Sequence, residues 1–342
     1  MNVIGGGPVG LWAAKKAGDK GIDAVVYEKN KQIGVPEHCT GLHSQNLDKI
    51  LKPEVILNQV NGARFYSGKH TAILEKKKVA RVIDRTAFDC QVYEEAVSSG
   101  VKVILGKKVN YERFKGEVVI AEGACSESVA KLGQKIEVLP AMQYDLKERP
   151  EDDFVELWFE KWNPNFFIWV VPRGNGVRVG TASKNLLPLK NFILKRFGRF
   201  RLKAKHAGLV VTSGPVKKTY FHQSERNIFL VGDSAGQVKP TTGGGVYTGM
   251  MCAEKISEAI LNGRLSDYEK LWKKELSREL KLQRMAYLLM NRNPHGFVKF
   301  LKKNKTKFET QGDMDMQFKS MSRMAFSAIP FVFGSLFSRR KV

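Results

Sequence analysis

A chain of 342 residues with 43% hydrophobic and 27% charged residues has ordinary globular composition, enough for one large domain or two to three interlocked ones. Its four cysteines, Cys39, Cys90, Cys125 and Cys252, form no CxxC pair and have no histidine at ligand spacing, which excludes a disulfide framework and a zinc site and fits a reducing cytosol. The formal net charge of +23 falls in two blocks: 13 Lys/Arg with no acid between residues 161 and 224, and 18 against 7 from residue 261 to 342. Such blocks attract phospholipid headgroups, phosphorylated substrates or nucleic acid, and the last is set aside because neither block carries a nucleic-acid-binding fold signature.

In chain order, Asn2–Ile4 reads as a buried strand, residues 5–10 as a glycine loop, Leu11–Lys20 as an Ala-rich helix and Asp23–Tyr27 as a second parallel strand ending at Glu28. The loop begins so close to Met1 that no targeting leader is expected. Residues 61–79 suggest short strands with turns, 86–99 a helix, and 101–105 and 118–120 further strands. Residues 137–220 alternate as in an antiparallel sheet, with Phe166–Val171 the most apolar piece. Asn227–Val231 is another buried strand, Gly243–Leu261 a small-residue helix, and the chain beyond is helical, basic and Met-rich. The uncharged segment 324–338, flanked by Arg323 and Arg339-Arg340-Lys341, is too short to span a bilayer and suits either an interfacial anchor or internal packing.

Two motifs carry chemistry. Gly5-x-Gly7-Pro8-x-Gly10 follows a strand and opens a helix, with Glu28 at the end of the next strand. That is the pattern of a dinucleotide half-site: pyrophosphate on the helix N-terminus and the carboxylate on the adenosine ribose. The second motif tells FAD from NAD. Residues 227–249 run a buried strand into Gly232-Asp233, an acid placed for ribityl hydroxyls. The turn Pro240-Thr241-Thr242-Gly243-Gly244-Gly245 then opens a helix at Val246, whose amides can face the flavin edge that gains negative charge on reduction. The expected cofactor is FAD, and no metal is expected.

These residues resemble the glutathione-reductase-type FAD fold, in the branch that holds aromatic hydroxylases and geranylgeranyl reductases. Asp84-Arg85-x-x-Phe88-Asp89 is similar to that branch's DRxxFD helix start, which implies that Arg85 reaches toward the FAD. Ala121-Glu122-Gly123 resembles its A-D-G turn, with Glu122 in place of Asp. Pro36-Glu37-His38-Cys39-Thr40-Gly41-Leu42 resembles the P-x-x-C-G-G-G-L loop of the geranylgeranyl reductases, with Thr40 replacing one glycine and another missing; the resemblance implies that Cys39 lies by the flavin ring. Phe167-Ile168-Trp169-Val170-Val171-Pro172 looks like the Y-x-W-x-F-P segment that lines the lipid cavity.

The resemblance spans residues 1–262. It implies an α/β chain whose Rossmann-like FAD-binding domain is discontinuous (1–60, 79–133 and 223–262) and carries an inserted antiparallel β-sheet substrate domain (61–78 and 134–222), followed by a basic helical region (263–342). It further implies an FAD-dependent reductase of isoprenoid C=C bonds in membrane-lipid precursors, using hydride plus a proton, with Cys39 the catalytic candidate and Phe167, Trp169 and Pro172 on the substrate. Basic residues of the 161–224 block are expected to hold a phosphate headgroup. The electron donor, NAD(P)H or ferredoxin, is left open. A cytoplasmic protein held peripherally at an anionic membrane is the expected setting. A flavin monooxygenase and an electron-transfer flavoprotein serving membrane quinone are the alternatives.

Overall fold

The computed structural model describes residues 1–320; the apolar segment 324–338 lies outside the described residues. β1 (Asn2–Ile4), α1 (Pro8–Gly18) and β2 (Val25–Tyr27) form the first βαβ unit. A short β3 (Leu42–Ser44) precedes a hairpin of β4 (Ile56–Ser67) and β5 (His70–Ile83). α2 (Arg85–Ser98), β6 (Lys102–Ile104), β7 (Gly116–Ile120) and α3 (Glu127–Lys131) follow. β8 (Val138–Leu146), β9 (Phe154–Trp158), β10 (Ile168–Arg173), β11 (Gly176–Ala182), α4 (Pro188–Phe197) and β12 (Leu202–Val211) come next. The chain then runs through β13 (Tyr220–Gln223), β14 (Arg226–Leu230) and α5 (Val246–Leu261) into α6 (Asp267–Trp272), α7 (Arg278–Arg292), α8 (Pro294–Lys303), α9 (Lys305–Gln311) and α10 (Gln317–Ser320).

Two sheets result. The first has six strands in the order β13-β14-β7-β1-β2-β6, parallel except for the β13–β14 edge hairpin. Its short central strands read as apolar runs because helices cover them. Leu11, Ala13, Ala14 and Ala17 of α1 are wholly buried in one cluster with Val26, Val119, Met250 and Ile256. Small side chains on α1 let it lie close to the sheet and to α5, and each fully buried Leu or Ile contributes about 1.5–3 kcal/mol. The second sheet has eight strands, β12-β8-β11-β10-β9-β4-β5-β3, antiparallel except for the β4–β9 pair. This is the α/β architecture expected, with its second sheet and helical C-terminal region.

The stretch 61–79 departs from the expectation of short strands. It belongs to one long hairpin, 12 residues against 14, with register shifts between Ile56 and Asn58 and between Val60 and Gly62. The run Lys76-Lys77-Lys78 disguised a strand because it falls at the second register shift, where Lys77 and Lys78 are both exposed and Lys78 has φ +55°, so the alternation breaks there. Among the described residues no helix is long and apolar enough to cross a membrane, and no cluster of three or more His, Cys, Asp or Glu could hold a metal.

Candidate active site

The two sheets meet at a cleft, and its first wall is the glycine loop. A side chain at Gly10 would put its Cβ 2.1 Å from the Gly5 carbonyl, and one at Gly5, where φ is +112°, 2.2 Å from the Ala121 carbonyl. Strand, helix and the end of β7 therefore close up only around glycine. Gly7 and Gly123 face open space, with nothing within 4 Å of where a Cβ would stand. Glu28 accepts from the backbone of Gly6 and of Asn30, both at 2.7 Å, so its carboxylate is held at the edge of the cradle. Glu122 turns away and caps α3 through Ser126 and Ser128, which explains why the longer acid is tolerated in that turn.

A second wall comes from α2 and the Gly232 turn. Asp84 caps α2 by accepting from Ala87, and the next residue, Arg85, is buried against Asp89 at 2.8 Å. The Gly232 amide is held by Gln237, which is tied in turn to Tyr268. This fixes Asp233, which is only partly accessible, through the cleft. Burial first, then the neighbouring Cys39, push the Asp233 carboxyl up to about 6, with Arg85 pulling the other way. The Gly243-Gly244-Gly245 turn brings the amide end of α5 to the same wall. Behind it Lys239 is buried, 2.5 Å from Asp315, and Ser44 also donates to Asp315. Burial alone would raise the Asp315 carboxyl; Lys239 outweighs it and holds the group below the usual range. Through this pair Met314 is drawn into the cleft lining.

The loop bearing Cys39 is fastened to the second sheet by charge. The Arg178 side chain is entirely buried and donates to Asp145 (2.5 and 2.7 Å), to Glu37 (2.9 Å) and to the Cys39 carbonyl (2.6 Å). Arg173 reaches Glu37 at 3.1 Å, and His206 meets Asp145 at 3.2 Å. Burial alone would raise the Asp145 carboxyl, and the Arg178 guanidinium overcomes this and holds it low. The His38 ring bonds the Ala207 carbonyl at 2.7 Å, and Gln143 donates to the His38 carbonyl at 3.3 Å. Loop residues 37, 38 and 39 are thus each bonded to the second sheet.

The third wall is a cross-strand row: Trp169, Gly180, Gln143 and His206 stand opposite one another on β10, β11, β8 and β12. A Cβ on Gly180 would lie 2.6 Å from both the Trp169 ring and the Gln143 Cβ, so its absence lets those two side chains lie flat against the sheet. Ala141, Met142, Leu157, Phe167, Val171 and Val210 make the rest of this wall apolar. Three buried polar atoms of the lining have no hydrogen-bond partner among the described residues: His43 Nε2, Gln143 Oε1 and Trp169 Nε1. Burial, with Arg85 and Lys239 adding, pushes His43 down to about 3, so the ring is neutral at physiological pH.

The cleft lining therefore gathers most of the residues expected from sequence: Gly7, Pro8, Gly10, Glu28, Cys39, Arg85, Gly123, Phe167, Trp169, Gly232, Asp233, Gly243, Gly244, Gly245 and Val246. Gly5, Pro172 and Pro240 are not part of the lining. One expectation is corrected. None of the thirteen cations of the 161–224 block lines the cleft; Arg173 and Arg178 are spent on Glu37 and Asp145, and the lining cations are Arg85 and Lys239. Sequence reasoning also missed Gln143, Arg178, His206 and Lys239 as parts of the site; their only signal is strand register and long-range pairing. Asp89 was visible within the DRxxFD pattern, and its role there is to pair with Arg85 one helical turn away.

A glycine cradle at the end of a parallel sheet, a Gly-Asp turn beside it and an apolar wall from a second sheet define an oxidoreductase with the fold of the flavin-dependent enzymes. No family model matches the chain. It is 32% identical over 337 residues to the digeranylgeranylglycerophospholipid reductase of Thermoplasma volcanium, covering 81% of this chain and 84% of that one. It is 28% identical over 331 residues to the enzyme of the same name from Methanothrix thermoacetophila, with 81% and 84% covered. The crystal structure of a geranylgeranyl bacteriochlorophyll reductase-like protein from Thermoplasma acidophilum superposes with a TM-score of 0.81 at 25% identity, covering 97% of each chain. The chain belongs to the digeranylgeranylglycerophospholipid reductase family.

Proposed function

We propose that this protein is an FAD-dependent reductase that saturates C=C bonds in the geranylgeranyl chains of membrane-lipid precursors. The observation that carries the proposal is the meeting of three parts in one cleft: the glycine cradle, the Cys39 loop locked by Arg178, and the apolar wall of Trp169. The residues present fit an FAD. Gly7 and Gly123 leave room at the pyrophosphate end, Glu28 and Asp233 offer carboxylates for hydroxyls, and the amide end of α5 faces the cleft. The orphaned Nε2 of His43 adds a neutral polar contact in the same wall.

Bound there, FAD supplies the hydride that one alkene carbon accepts. The other carbon needs a proton, and the Cys39 Sγ is the group assigned to deliver it. Arg85 lies within electrostatic and hydrogen-bonding reach of Cys39 and so neighbours the group that gives up the proton. Arg178 acts at one remove, holding the loop backbone so that the thiol keeps its place. Phe167 and Trp169 exclude water and orient the isoprenoid chain. The surface suits a peripheral attachment to an anionic membrane. A soluble donor, NAD(P)H or an acidic ferredoxin, returns the electrons.

The test is product mass. Purified holoenzyme, dithionite and detergent-dispersed digeranylgeranylglycerophospholipid are incubated without oxygen, and the lipid is weighed by mass spectrometry. A gain of two hydrogens per reduced bond is expected, falling at least a hundredfold in Cys39→Ala. Unchanged lipid mass with fully reduced flavin would sink the proposal.

A further inference from the structure

The cations that do not reach the cleft have a different arrangement. α4 packs on the outer face of the second sheet through Leu189 and Ile193, against Val177, Val179 and Tyr144. Its opposite side presents Leu194, 44% exposed, and the N-cap Leu187, 85% exposed and helical in its backbone angles, seven residues apart and so on one helical face. Lys190 and Asn191 lie between them, also exposed. The edge strand β12 continues this surface. Lys205 stands over the ring of Tyr144, the residue that α4 also covers, and Leu202 is half exposed.

Seven exposed cations belong to this surface: Lys184, Lys190, Lys195, Arg199, Arg201, Lys203 and Lys205. None of them makes an ion pair among the described residues. The acids nearest in the fold are accounted for. Arg196 takes Glu151 and Glu156, and Glu148 accepts from the Arg201 backbone. The other side of β12 is the cleft: His206, Gly208 and Val210 line it, and Leu209, 38% exposed, lies on both the outer surface and the lining. One strand thus has an unpaired cationic exterior and forms the wall of an apolar cleft.

We infer that α4 and β12 form the docking face for an anionic phospholipid bilayer, placing the cleft mouth at β12 against the surface from which lipid enters. The choice of a bilayer over other anionic surfaces rests on the lipid reading of the cleft and on the leucines. Free cations alone suit any polyanion, whereas exposed leucines interleaved with lysines suit the headgroup–acyl boundary, which buries apolar side chains 5–10 Å deep, roughly. A nucleic acid would leave Leu187, Leu194 and Leu202 in water.

Sedimentation with vesicles tests this on the full-length holoenzyme. With vesicles of phosphatidylcholine containing a third phosphatidylglycerol, the protein pellets; with pure phosphatidylcholine, binding falls more than tenfold, and added salt weakens it. Each basic residue near such a surface strengthens binding about fivefold. Lys190→Glu/Lys195→Glu and Lys203→Glu/Lys205→Glu therefore each lower it at least tenfold, and Leu187→Ser/Leu194→Ser removes the part that survives high salt. The same three variants keep normal turnover of detergent-dispersed lipid, which separates this inference from the proposed chemistry: loss of turnover in the parent enzyme would overturn the chemistry alone. Charge reversal at Lys302 and Lys303, exposed on α8, is the control and leaves binding within twofold. Binding that ignores the α4 and β12 reversals, or binding to duplex DNA that equals vesicle binding and ignores the leucine variant, would overturn the docking face.

Discussion

The glycine cradle and the Cys39 loop line one cleft and are held there by different physics. The cradle is a matter of backbone approach: Gly5, Gly10 and Ala121 come so close that no side chain fits. The loop is a matter of buried charge: the wholly buried Arg178 side chain bonds Asp145, Glu37 and the Cys39 carbonyl at once, and no solvent reaches the guanidinium to substitute for them. A cradle of the first kind fails by steric intrusion, a loop of the second kind by an orphaned ion. The first failure is local to the glycine turn; the second frees the Cys39 loop and leaves carboxylates of the second sheet without their cation.

The largest expected effect follows from the loop. Arg178→Met leaves Glu37 and Asp145 buried without their main partner and costs about 3–5 kcal/mol, read as urea unfolding. Adding Asp145→Leu recovers part of that loss, because two apolar groups replace two charges; no recovery would mean that the network is not what fastens the loop. Arg178→Met should also change the rate at which Cys39, already part of the cleft lining, is alkylated by iodoacetamide, a change that a purely structural loss elsewhere would not produce.

Gly10→Ala is the matching test of the cradle. Its Cβ overlaps the Gly5 carbonyl, at a cost of about 1–3 kcal/mol. The protein should then purify without bound flavin, while Cys39 reactivity stays normal. Loss of flavin together with exposure of Cys39 would show that the two regions are one cooperative unit rather than two.

The pH dependences sharpen the contrast further. His43 is neutral when folded and its ordinary value is 6.5, so its contribution is fully present above that value and is lost as pH falls toward 3. The loss reaches roughly 4 kcal/mol at the acid end, and His43→Phe should flatten the stability profile between pH 6.5 and 3. Asp233 runs the other way. Its folded value is raised from 3.8 to about 6, so without cofactor it costs stability as pH rises from about 4 to 6. The charged carboxylate is the better hydroxyl acceptor, so FAD affinity should weaken below pH 6, by at most about tenfold per pH unit, and Asp233→Asn should remove that slope. Fluorescence titration of FAD at a series of pH values measures it.

This difference in physics also explains what could be read from the sequence. The cradle is written locally: Gly5, Gly7 and Gly10 sit in one turn, Glu28 ends the following strand, and Gly232-Asp233 ends another, so short-range patterns disclosed both halves. The Cys39 loop was visible as a resemblance, but its anchor was not. Arg178 lies in a strand read only as alternating, and its partners stand 33 and 141 residues away. The same holds for Lys239 and Asp315, 76 residues apart. Counting cations in the 161–224 block misled, because sequence does not tell which face of β12 a lysine occupies. Register decides that Gln143 and His206 face the cleft while Lys205 faces out. The long β4–β5 hairpin was missed for a related reason: its lysines broke the apolar alternation on the solvent side.

The central claim is that cradle, thiol loop and apolar wall act on one lipid in one cleft. Its most direct test is to reduce the holoenzyme stoichiometrically without oxygen, mix it rapidly with digeranylgeranylglycerophospholipid and follow flavin absorbance. The account predicts reoxidation in step with saturation of the lipid, slowed at least a hundredfold in Cys39→Ala and lost in Gly10→Ala. Reduced flavin that persists beside the lipid and turns over only when oxygen or a quinone is admitted would contradict it.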